Sequence, residues 1–108
     1  MKSYQEAATD LAHAEEISMA ASGRLKDARR AVAARLGISP DGRMGLVPEP
    51  IRLSPEYRAA KSEYDVSFKR QREIAAFINR HYPREHRAAQ EAWRDAKRAE
   101  QIAERPVA

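Results

Sequence analysis

The chain contains no cysteine. That excludes a disulfide framework and thiolate chemistry, and it predicts a reducing, cytoplasmic setting. Aromatic residues are only 6% of the 108 positions. Bulky apolar residues are scarce as well: Leu, Ile, Val and Phe together number 17, while alanine alone numbers 21. Such a composition cannot fill a wide core. It leaves two outcomes: long helices that approach closely through alanine, or a chain that stays disordered until it meets a partner. No apolar run approaches the ~20 residues that a membrane span needs, so no membrane partner is expected. The opening "MKSYQEAATDLAHAEE" lacks the apolar stretch of a secretory signal. The chain carries no phosphate-cradling glycine loop and no dinucleotide fingerprint.

Glycine is the other scarcity. Three of the four glycines fall at 37, 42 and 45. They share the stretch "GISPDGRMGLVPEPIRLS" (37–54) with prolines 40, 48 and 50 and six large apolar residues, Ile38, Met44, Leu46, Val47, Ile51 and Leu53. On either side the pattern is helical. Tyr4, Ala8, Leu11, Ala14, Ile17, Ala21, Leu25, Ala28, Val32 and Leu36 recur at steps of three and four, the spacing of one helical stripe. Ser3 and Glu6 fit a capping box, and Gly37 suits the left-handed position after a last turn. The run "SPEY" puts Ser54 at an N-cap and Pro55 in the first turn of a second helix. Its stripe runs through Tyr57, Ala60, Tyr64, Phe68, Ile74 and Ile78. Pro83 then breaks the helix or starts another, and Ala89, Trp93, Ala96, Ala99 and Ala103 mark a further stripe. The tail "RPVA" is expected to fray.

These signals predict a single all-α domain. Helix 1 spans about 3–36, an ordered loop 37–54, and helix 2 about 55–81, the two helices forming an antiparallel hairpin. A third helix, or a kinked continuation of the second, covers about 84–104. End-to-end alignment would place Leu25 near Val66 and Ile17 near Ile74. A kinked, partly projecting last helix is favoured, because no turn sequence separates 80 from 84.

Net charge is +4 with 33% charged residues. Residues 1–20 carry −3 and residues 21–36 carry +4, a gradient that complements the helix dipole. Elsewhere acids interrupt every basic run. The three histidines, at 13, 81 and 86, lack ligand spacing, so no metal or other cofactor is expected. Paired carboxylates such as Glu15 and Glu16 read as a solvated face, since acid/base work needs a pocket. The sequence therefore predicts a non-enzymatic protein.

A protein partner is the leading expectation. The apolar inventory cannot hide three helices and the loop together, so some of it is left for a partner. Arg43, Met44 and Val47 in the loop, and Tyr82, Arg84, Arg87 and Trp93 around the break, are the candidate contacts; Trp, Tyr and Arg dominate interface energetics. The competing expectation is that the loop folds over the hairpin end and buries Ile38, Leu46 and Ile51. Nucleic acid is an alternative partner. "FKRQR" and "RHYPREHR" mix bases with aromatics, and Arg24, Arg29, Arg30, Lys69, Arg70, Arg72 and Arg80 could form a basic band. Self-association into a homodimer is a third option.

The pieces "LGISPDG" and "SPEYRAAKSEYDVSFKRQREIAAFIN", within residues 36–79, resemble short helical proteins of bacterial phages and mobile elements. Those share an LGL-TPD-like turn, an SPEY-AAK-like helix start, then YD, an aromatic and F-N. The resemblance covers about a third of the chain and carries no activity over. It implies a setting in which small proteins attach to a host machine, including inhibitors of CRISPR–Cas and other defence systems.

Overall fold

The computed structural model describes residues 1–104; the tail "RPVA" lies outside them. Among the described residues every regular element is helical: α1 Tyr4–Leu36, a 3₁₀ turn Arg43–Gly45, the single turn α2 Glu49–Arg52, α3 Pro55–His81 and α4 Pro83–Glu104.

The helix ends follow their local chemistry. Ser3 accepts from the Glu6 N–H at 3.2 Å while the Glu6 carboxylate accepts from the Ser3 N–H, a closed capping box. Gly37 takes φ +68° at the end of α1, and its N–H and that of Ile38 reach back to the last carbonyls. Ser54 caps α3 by accepting from the Tyr57 N–H.

α1 and α3 run antiparallel. Arg35 pairs with Glu56 at the loop end, Arg24 with Glu63 midway, and the Tyr4 and Tyr82 rings meet at a tilt at the far end, centroids 5.9 Å apart. The buried faces follow a heptad register, with Ala33 buried beside it at the loop end. Ala7, Ala14, Ser18, Ala21 and Val32 are buried on α1, and Tyr57 and Ile78 on α3. That is heptad spacing, and the small α1 residues let the two helices close on each other.

Two expected contacts are corrected. Val66 is 69% exposed and lies off the buried seam, and Leu25 packs against the cluster of Val32, Ala33, Ile51 and Tyr57. Arg35–Glu56 keeps the expected register at the loop end, whereas Arg24–Glu63 is offset from it by about one turn. Ile17 is 45% exposed, and Ser18 takes the seam position beside it. The heptad step from Ala14 selects residue 18, whose small side chain suits the close approach.

The loop is divided between core and solvent. Ile51 on α2 is fully buried and Val47 is half-buried against the same cluster. Leu46 (68% exposed) and Met44 (94%) face water, and Ile38 is 38% exposed. The predicted cap therefore consists of Ile51 and Val47, not Ile38 and Leu46.

α4 breaks away at Tyr82 (φ −136°, ψ 51°), where Pro83 has no N–H to continue the ladder. A straight α3–α4 rod would be ~75 Å long, yet the longest extent of the chain is 52 Å and the next 49 Å. The axis therefore turns sharply, and no residue of α4 is buried. It projects from the hairpin and does not complete a three-helix bundle.

Candidate functional site

The break is fixed by one side chain. The Tyr82 hydroxyl donates to the Lys2 carbonyl at 2.6 Å, and its ring lies against Tyr4 and, at 6.4 Å, Phe77. The Tyr82 N–H donates to the Ile78 carbonyl, and the Tyr82 carbonyl accepts from the His86 N–H. α4 thus leaves α3 in a fixed direction and faces the N-terminal half of α1 across an open notch.

That notch holds about 420 Å³. Tyr4, Ala8 and Leu11 form its α1 wall, Ile78 its floor, and Ala89 and Trp93 its α4 wall. Glu15, His86 and Arg94 stand at its rim. Trp93 is 63% exposed, and Lys97 sits 5.8 Å from its ring centroid. Both walls are alanine-bearing helix faces like those that close the α1–α3 seam, here with nothing between them. Such a gap fits another amphipathic helix.

The seven expected contact residues do not form one surface. Arg43, Met44 and Val47 lie at the loop end of the hairpin, and Tyr82, Arg84, Arg87 and Trp93 at the opposite end. The loop folds back on α1 as far as Arg29, and the stretch of α1 from there towards Tyr4 separates the two groups. Within the second group Tyr82 is engaged inside the chain, Trp93 lines the notch, and Arg84 and Arg87 are exposed on α4. Within the first, Val47 is turned inward, whereas Arg43 and Met44 are exposed.

The basic residues do not gather into a band either. Arg24 is paired with Glu63. The Arg29 guanidinium is spent on the loop: it donates to the carbonyls of Pro40 (2.7 Å) and Gly45 (3.1 Å) and to Asp41 (3.2 Å). Arg70 shares a groove with Asp10 and Glu73. Arg72 lies 5.2 Å from the Phe68 ring centroid, and Tyr64 stacks on that ring at 5.7 Å, so the aromatic of "FKRQR" already has stacking neighbours within its own helix. Arg30, Lys69 and Arg80 remain exposed on separate stretches of the hairpin.

The role of Arg29 escaped sequence reading, which placed it only in the alternative basic band. The signal was present in the eleven-residue spacing to the proline–aspartate turn, but only the folded loop brings three acceptors to one guanidinium. Among the described residues no three His, Cys, Asp or Glu side chains gather as metal ligands, and no helix is long and apolar enough to cross a membrane. The His81 ring packs on Phe77, centroids 4.5 Å apart. No family model matches this chain, and neither a curated protein nor a solved structure matches it.

Proposed function

We propose that this chain is a non-catalytic protein that binds a helical segment of a protein partner in the notch between α1 and α4, with Trp93 as the anchor. The observation that carries this reading is Trp93 itself: a 63% exposed indole on the apolar wall of an open notch, borne by a helix with no buried residue. Helices in proteins draw most of their stability from packing of an amphipathic face, which α4 lacks here, and covering its apolar face would stabilise it. Tryptophan is also the side chain most enriched among dominant interface contacts. The resemblance of residues 36–79 to phage and mobile-element proteins supports a stoichiometric inhibitor acting on a host defence complex such as CRISPR–Cas.

The test is capture from a nuclease-treated lysate of cells that encode or encounter the chain, followed by affinity measurement with the purified partner. Trp93→Ala is expected to weaken binding by about 2 kcal/mol or more, with the helical content of the chain unchanged. Retention of full affinity by Trp93→Ala overturns the proposal. Loss of the partner on nuclease treatment, with affinity falling log-linearly in salt, supports nucleic acid in its place.

A further inference from the structure

A second recess lies at the other end of the hairpin. It holds about 380 Å³ and is lined by Leu46, Val47, Arg52, Tyr57, Arg58 and Lys61. Its floor is firm: Val47 and Tyr57 belong to the packed cluster with Val32, Ala33 and Ile51. Leu46, 68% exposed, forms an apolar wall. Arg52, Arg58 and Lys61 are exposed around the rim.

The charges at this end are not self-neutralised. Lys61 pairs with Asp65, Glu56 with Arg35, and Asp41 with Arg29. Among the described residues Arg52 and Arg58 have no carboxylate within ion-pair distance. Glu49, on α2, is exposed and lies outside the recess lining. Two free guanidiniums therefore flank an apolar floor.

The recess is also preorganised. Arg29 ties the loop at three points, and the Gly42 N–H donates to the Leu46 carbonyl at 2.8 Å. Met44 is held at φ +58°, a left-handed conformation unusual for a residue with a side chain. A loop already fixed loses little conformational freedom on binding.

We infer that this recess binds an acidic peptide segment of a protein partner, seating one large apolar side chain on Val47 and Tyr57 while flanking carboxylates meet Arg52 and Arg58. Arginine pairs with carboxylates in a bidentate manner, and the volume suits one such anchor. A nucleic-acid strand fits less well: Tyr57, the one aromatic in the lining, is only 7% exposed and offers no free face for a base. The site goes beyond the proposed function and does not depend on it, since it lies at the opposite end of the molecule from Trp93.

A random twelve-residue peptide library displayed on phage and selected on the full chain tests this directly. The selected peptides are expected to share one large apolar residue with acidic residues on both sides. By fluorescence anisotropy the best peptide should bind R52E/R58E about tenfold or more weakly, R52A/R58A and Leu46→Ser to a smaller degree, and Trp93→Ala as tightly as the unaltered chain. All four positions are exposed, and circular dichroism confirms that the variants fold. No enrichment, a consensus without acidic residues, or R52E/R58E binding within about twofold of the unaltered chain overturns the inference. Competition by an oligonucleotide but not by an acidic peptide overturns it in favour of a nucleic-acid site.

Discussion

Gly42 shows how narrowly single positions are set. A Cβ there would lie 2.8 Å from the Leu46 carbonyl oxygen, inside any real contact distance. Gly42→Ala must open the turn that carries Arg43 and Met44, and it is expected to lower stability by about 1–3 kcal/mol in denaturant titrations. Met44 poses the opposite case. Its side chain is 94% exposed and holds nothing together, yet its backbone is left-handed. Met44→Gly should raise stability by up to about 1 kcal/mol. Ala14 is buried in the seam. Ala14→Leu adds apolar volume yet should destabilise by about 1–3 kcal/mol, because α3 cannot close over it. Thermal melts of the three variants check all three signs.

At the scale of elements, the caps and breaks were legible in sequence because each is a local matter of hydrogen bonding. Ser3 with Glu6, Gly37, Ser54 with Pro55, and Pro83 all act where their chemistry predicts. The seam was legible in period and, at Ala14, Ala21, Val32, Tyr57 and Ile78, in phase; it slipped at one step. Ile17 is larger and more apolar than Ser18, so composition favours it, while packing against α3 favours the smaller residue at the heptad position. Loop burial was legible only at Ile51, because the rest depends on which apolar residues the α2 turn brings to the hairpin end. The hairpin also carries a pH signature there. Arg35 donates to Glu56 at 2.5 and 3.3 Å, which holds the Glu56 carboxyl below its ordinary value of 4.5 and raises Arg35. A depressed carboxyl contributes stability above its unfolded pKa and loses it as pH falls through the folded value. Glu56→Gln should therefore lower the melting temperature at pH 7 and change it less at pH 3, the difference scaling down with added salt.

At the scale of the molecule, the two recesses sit on different stretches of the hairpin, one beside Tyr4 and Leu11 and the other beside Val47 and Tyr57. Sequence reading named residues from both recesses without knowing that they lie apart, since distance along a helix is evident only once the hairpin register and the direction of α4 are fixed. Tyr82 sets that direction. Tyr82→Phe removes the hydroxyl that bonds the Lys2 carbonyl and should cost about 1 kcal/mol, with faster amide exchange in the first turns of α1 and α4.

The central claim is that a partner covers Trp93. The chain has a single tryptophan, so 5-fluorotryptophan labelling yields one ¹⁹F resonance. On addition of the captured partner that resonance should shift and broaden in proportion to complex formed. A complex that forms while the ¹⁹F resonance stays at its free position and width contradicts the account.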